Sequence, residues 1–336
     1  MIKTLSVLDQ SPIPAGATPA QALANSVDLA RHCEALGYFR YWVAEHHSSS
    51  ALAGSAPEIL IGQIAAATST LRVGSGGVML SHYSPYKVAE TFRMLEAFYP
   101  GRIDLGVGRA PGSDQLTAAA LANGPRRDTE ENFPRAIVDL VRWMHDSIEP
   151  EHRFAAVKAQ PVAPTAPDVW LLGSSDYSAM LAAHLGLPFS FAHFINPGWG
   201  PTVMDAYRRE FKPSVLLDAP VASIGVSVLC ADTAEEADRL AAPLRLWRVW
   251  LRTRQDPGAI PTYEQAMSHR YTELEQRVLD ESTARLIAGD PAYCKAELET
   301  LAEQYQVEEL VVVTITADHA SRRRSYELIA EAFGLR

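Results

Sequence analysis

Eight strand-like stretches punctuate the chain, and seven of them run into a helix-like stretch rather than a hairpin turn. They are TLSVLD (4–9), YFRYWVAE (38–45), LRVGSGGVML (71–80), RIDLGVG (102–108), DVWLLG (168–173), PFSFAHF (188–194), VASIGVSVLCA (221–231) and EELVVVT (308–314). A strand that exits into a helix is carried back along the sheet before the next strand begins, so successive strands lie parallel. Eight such units in one chain predict an α/β fold, a closed TIM-like (β/α)8 barrel rather than an open doubly wound sheet. Local signals agree. Thr18-Pro19 is a cap and first-turn pair, and Leu23, Val27, Ala30 and Leu36 follow it at helical spacing. Pro100-Gly101 stops the helix that begins PYKVAETF.

The scheme is interrupted once. Residues 255–290, a proline-bounded loop and the polar helix TYEQAMSHRYTELEQRVLDES, form an insertion between strand seven and its closing helix DPAYCKAELETLAEQY. Such an insertion is either a lid over the barrel mouth or a surface elaboration. With 336 residues, 47% of them hydrophobic, the chain has core enough for one large or two ordinary domains, and the series of units makes it a single domain, 1–336.

A formal net charge of −10 argues against nucleic-acid and anionic-membrane partners, which need a basic face. Cys33, Cys230 and Cys294 lie far apart with no CxxC pair, which fits a reducing compartment and excludes a disulfide framework or thiolate zinc site. No charged-then-apolar leader opens the sequence, and no apolar run reaches the roughly eighteen residues of a membrane span. A soluble, cytoplasmic protein is expected.

In a (β/α)8 barrel, ligands bind where strands end and loops begin. Four strand ends carry informative residues. The second strand ends in Glu45-His46-His47. Adjacent strand residues point to opposite faces, so the two imidazoles cannot easily share a metal, and no HxH, HExxH or carboxylate cluster supplies other ligands. No metal site is expected. One imidazole facing the mouth would act as an acid/base or hydrogen-bonding group; a solvated strand end would carry the same residues. The third strand holds Gly74, Gly76 and Gly77, which suit a bulge, a close approach to a flat ligand, or a crowded barrel corner.

Arg109 stands one residue past the fourth strand, in GVGRAPGSD; a lone arginine at a strand end is usually solvated, whereas one held by Gly106 and Gly108 near a pocket would serve as a phosphate clamp. The fifth strand ends at Gly173, and Ser174, Ser175 and Ser178 surround the first turn of the next helix. Free backbone N–H groups, hydroxyls and a positive helix end together suit a phosphate, although ordinary serine N-capping uses the same residues. Arg109 on the neighbouring strand tips the balance toward the phosphate. GVGRAPG is not a dinucleotide fingerprint, because the third glycine of GxGxxG would fall on Pro111.

Taken in order, these strand ends resemble the bacterial luciferase-like family of flavin-dependent monooxygenases. AEHH, RVGSGGVML…SP, GRIDLGVGRAPG and LLGSSDYSAMLAAHLGLPFSFAHFIN all fall into register, and the likeness covers nearly the whole chain. It is closer to the single-chain oxidoreductases of the family than to the light-emitting subunits. The resemblance implies FMN at the strand C-termini, with Arg109, Gly173, Ser174, Ser175 and Ser178 near its phosphate. It puts a cis peptide at Gly76-Gly77 under the flavin ring, His193 beside the flavin, and His46 on the family's catalytic histidine. It also implies a homodimer through helices two and three, in keeping with the small, apolar stretch ILIGQIAAAT. Two positions depart from the family: Gly108 stands where luciferases carry a reactive cysteine, and Ser174 replaces an acidic residue. Both speak against luminescence, and the second bears on the choice between FMN and a deazaflavin.

The function so implied is that of an FMN-dependent monooxygenase. Reduced FMN would come from a separate flavin reductase, since no second nucleotide site shows in the sequence. With molecular oxygen it would give a 4a-hydroperoxide that oxidises a small organic substrate, His46 stabilising or protonating that species. Asp9, Gln10, His193 and the insertion would line the substrate pocket. A deazaflavin-dependent hydride-transfer enzyme and a non-catalytic flavin-binding accessory protein are the alternatives.

Overall fold

The computed structural model describes residues 2–110, 112–122, 129–253 and 258–335, without the side chains of 129–131. Its strands are β1 (Thr4–Asp9), β2 (Arg40–Val43), β3 (Arg72–Met79), β4 (Ile103–Gly108), β5 (Asp168–Gly173), β6 (Phe189–Ala192), β7 (Ala222–Cys230), β8 (Ile287–Gly289) and β9 (Glu309–Val313). Strands β1 to β6 pair in sequence order, β6 pairs with β7, β7 with β9, and β9 with β1, every pair parallel. That closes an eight-stranded barrel.

The helices are α1 (Pro19–Ala35), α2 (Pro57–Ala67), α3 (Pro85–Phe98), α4 (Gln115–Ala122), α5 (Thr129–Met144), α6 (Asp176–Leu185), α7 (Gly200–Arg209), α8 (Ala234–Thr253), α9 (Tyr263–Ser268), α10 (Glu273–Thr283), α11 (Pro291–Tyr305) and α12 (His319–Phe333). Thr18 caps α1 in a reciprocal box with Gln21, as its sequence suggests. No helix among the described residues is long and apolar enough to cross a membrane.

The floor of the barrel is ionic. Asp104, with no exposed surface, accepts from Arg40 at 2.8 Å, from the Trp42 indole at 2.9 Å and from Arg72 at 2.9 Å. Arg40 also meets Glu309 at 2.7 Å. The Ser6 hydroxyl donates to Glu309 as well. Ser6, Arg40, Asp104 and Glu309 all sit in the first half of their strands, so these pairs plug the N-terminal end. The opening lies at the other end.

Three features depart from the expected scheme. The insertion helix is two helices, α9 and α10, because Thr262 and Thr272 each cap a start of their own, boxed with Gln265 and Glu275. Both boxes, TYEQ and TELE, follow the sequence rule for a helix start. Second, β8 pairs with the end of β7, joining Val228 to Ile287 and Cys230 to Gly289. β7 runs on past its last partner in β9, Val313, and β8 satisfies backbone groups that would otherwise go unpaired. Third, α4 forms within the loop after β4, its start bonded to Asp114. The insertion is pinned where it passes β1: Ile260 donates to the Ile13 carbonyl at 3.0 Å and accepts from the Ala15 N–H at 2.7 Å. Its residues 255–257 lie outside the described residues.

Candidate active site

Two cavities lie one behind the other at the C-terminal mouth. The inner one, about 320 Å³, takes Leu8 from β1, Gly225 from β7 and Val311 from β9. The outer one, about 900 Å³, takes Gln10, Ser227 and Val313. Each of these is two residues further along its strand line, so it keeps the same face and lies ~6.6 Å further out. Phe194 and Ile195 line both cavities and form the wall between them.

Gly76, Gly77, Arg109, Gly173, Ser174, Ser175 and Ser178 all line the inner cavity. The β3–β4 register shifts between Gly76 and Val78, leaving Gly77 as the extra residue of a bulge, and the Gly76-Gly77 peptide is cis. A Cβ on Gly77 would meet the Gly106 carbonyl oxygen at 2.6 Å and Leu172 at 2.8 Å. The bulge and the crowding, weighed as alternatives from sequence, therefore coincide here.

The Arg109 guanidinium lies over the Tyr177 ring, 4.4 Å from its centre. Ser175 occupies the N-cap of α6, but its side chain takes no hydrogen bond from the helix N–H groups. Its hydroxyl instead lies 3.3 Å from that of Ser178, which donates to the Ser175 carbonyl at 2.8 Å. Ordinary capping is thus not what these serines do. An uncapped helix start, hydroxyls and a guanidinium converge on one end of the cavity, and that end can hold a dianion. Asp176 at the first helical position works against an anion, but it is exposed and already accepts from the Tyr177 N–H at 2.8 Å. Tyr177 was not singled out in the sequence; its hydroxyl is buried with no partner among the described residues, beside Arg109.

Glu45 is buried and ties the exits of β2 and β3 together. It accepts from the Met79 N–H at 3.0 Å and the Tyr83 hydroxyl at 2.7 Å, and lies 2.7 Å from His47 Nε2. His46 is half-buried in the wall of the outer cavity, and its buried Nδ1 has no partner among the described residues. His47 lines the same cavity, which corrects the opposite-face expectation. β2 ends at Val43, so strand alternation no longer governs the two imidazoles.

Burial, and then the nearby His47, push the His46 imidazole down to about 4, so it is neutral near pH 7. With its folded value below the unfolded one, an unfolded His46 takes up a proton first as the pH falls. Stability should therefore drop between pH 6.5 and 4, and His46→Gln should drop less over that interval. Parallel melting curves of the two proteins at steps through this range check it; identical slopes would remove His46 as a contributor.

Other predicted site residues lie elsewhere. Gln10 lines the outer cavity, but Asp9 lines neither. Asp9 is fully enclosed, bonded to Arg322 at 2.6 Å and to the Tyr41 hydroxyl at 2.6 Å. Burial alone would raise its carboxyl, and Arg322 with these hydrogen bonds brings it below the ordinary value. His193 also lines neither cavity; its Nδ1 is 2.8 Å from the Tyr305 hydroxyl. No described residue of the insertion lines either cavity. The outer wall comes instead from α8, through Leu244, Trp247, Arg248 and Leu251.

The luciferase-like monooxygenase family model matches residues 4–308. The chain belongs to the luciferase-like monooxygenase family. It is 41% identical over 323 residues to a luciferase-like monooxygenase of Escherichia coli (strain K12), covering 96% of this chain and 95% of that protein. Likeness to the N-acetyl-S-alkylcysteine monooxygenase of Bacillus subtilis (strain 168) is 37% over 329 residues, or 98% of this chain and 97% of that one. The crystal structure of apo-MsnO8 superposes with a TM-score of 0.91 at 41% identity, covering 100% of this chain and 98% of that one. The family's barrel is therefore retained from end to end.

Proposed function

We propose that this family member is an FMN-dependent monooxygenase, receiving reduced FMN from a separate flavin reductase and using molecular oxygen to oxidise a small organic substrate. The observation that carries it is the division of the inner cavity. Arg109, three serines and an uncapped helix start make one end polar and cationic, while Leu8, Trp42, Leu172 and Val311 make the rest apolar. No carboxylate is among the described residues lining it. That donor set suits a phosphate tethered to a flat apolar ring system.

When bound, FMN supplies the activation of oxygen that protein side chains lack. The chain's own residues do the rest. Arg109 and the serines hold the phosphate, and the glycine bulge brings β3 backbone to the cavity wall. The apolar walls keep water out, and His46 offers a neutral imidazole to hold or accept a proton in the outer cavity, on the substrate's side. A homodimer formed through α2 and α3 would cover Ile59, Met94 and Phe98, which are exposed.

The test is a titration with FMN, riboflavin and a deazaflavin, followed by stopped-flow mixing of the reduced complex with oxygen. N-acetyl-S-alkylcysteines, on which the Bacillus relative acts, are the first substrates to try. FMN should bind most tightly, and oxygen should be consumed with formation of an oxygenated product. Turnover without oxygen on the deazaflavin would instead mark a hydride-transfer enzyme. Flavin binding with no oxygen consumption would mark an accessory protein.

A further inference from the structure

The outer cavity has a cation in its wall that no part of the flavin site uses. Arg248 reaches in from α8, its Nη2 donating to the Ser227 hydroxyl at 3.0 Å and its Nη1 lying 3.4 Å from the Ser282 carbonyl. No carboxylate pairs with it among the described residues. That is unusual for an arginine in this setting, because a desolvated guanidinium normally has a carboxylate partner. Its surroundings add positive charge: burial, then Arg285 and Arg245, push it down to about 10.

Neighbouring groups are unfilled as well. Ser227 is buried and accepts from Arg248, which leaves its own hydroxyl hydrogen to donate inward. The buried Trp247 indole N–H meets no acceptor among the described residues. The carboxylate in the cavity lining, Asp114, is already taken up by the Thr117 N–H and hydroxyl.

We propose that Arg248 and Ser227 form a carboxylate-binding subsite, so that the substrate of this enzyme is an organic acid whose anionic end is held on α8. Its apolar body lies along Leu244, Val313 and Ile315, and its far end reaches the Phe194–Ile195 wall shared with the inner cavity. A carboxylate suits the planar fork of a guanidinium, which donates two parallel N–H bonds to its two oxygens. Calling this acid a substrate rests on the monooxygenase reading; the subsite itself does not.

The probe is hexanoate, compared with hexan-1-ol, methyl hexanoate, hexanesulfonate and inorganic phosphate. Binding to the full chain is followed by calorimetry, with and without oxidised FMN. Hexanoate should bind at least about tenfold more tightly than the alcohol and the ester, the scale of one charge-assisted hydrogen bond. Arg248→Met should erase that preference, Arg248→Lys should keep part of it, and Ser227→Ala should weaken it severalfold. FMN affinity should stay unchanged in all three variants.

Equal binding of hexanoate and hexan-1-ol to the unaltered protein would overturn the proposal. So would a preference that survives Arg248→Met, or tighter binding of phosphate or hexanesulfonate at this site. If Arg248→Met does not fold, the ligand series on the unaltered protein and on Ser227→Ala decides. Failure of FMN to bind, with the hexanoate preference intact, would sink the monooxygenase reading and leave the subsite standing.

Discussion

Replacing His46 by alanine should leave FMN affinity within about twofold and cut productive oxygenation by about 10²–10⁴, the range for loss of a positioned acid/base group. The affinity should hold because His46 does not line the inner cavity, where Arg109 and the serines converge. The loss should follow from two properties of the imidazole. Its Nδ1 is buried with no partner among the described residues, and it is neutral near pH 7, so it can either donate or accept. Its contribution should not titrate out between pH 6 and 8, in contrast to a histidine of ordinary pKa.

The measurement is reduced-flavin oxidation in a stopped-flow instrument, with oxygenated product and released hydrogen peroxide assayed in parallel. His46→Ala should shift the balance toward peroxide. His47→Ala should behave differently: it loses the Glu45 contact at 2.7 Å, so its effect should show in melting temperature before product yield. An unchanged yield in His46→Ala would take the catalytic role away from it. His193 would be a poor replacement, since it faces Tyr305 and lines neither cavity.

Arg109→Ala should weaken FMN by roughly tenfold to a hundredfold while leaving riboflavin nearly unaffected, because one charge-assisted hydrogen bond is worth about 1.5–3 kcal/mol. Only FMN carries the charge that a guanidinium at the mouth of β4 would contact. Arg109→Lys should recover only part of the loss, since a lysine keeps the charge but cannot stack flat on the Tyr177 ring or present a planar fork. Calorimetric titrations of both ligands against all three proteins settle it. Equal losses for FMN and riboflavin would mean that Arg109 supports the cavity wall and does not hold the phosphate.

The barrel and the polar end of the inner cavity were both legible in the sequence, for the same reason. Each βα unit is a local object, written in consecutive residues, and β4 and β5 are neighbours in the sheet as well as in order along the chain. Arg109 and Ser174–Ser178 therefore converge without any long-range information. The two capping boxes inside the insertion were equally local and could have been read from TYEQ and TELE.

What remained hidden depends on closure of the ring. Asp9 seemed to face the pocket until closure brought Arg322 of α12, from the far end of the chain, against it. His193 turns to Tyr305 on α11, more than a hundred residues away in sequence. Arg248 meets Ser227 only because α8 folds back over β7, and no spacing rule links a helix interior to an inward strand position in that way. The sequence determined the repeating unit, its count and the groups at each strand end. The tertiary structure decided which of those groups are neutralised by distant partners and which are left facing a cavity, because electrostatic pairing is settled by proximity in space and not by order along the chain.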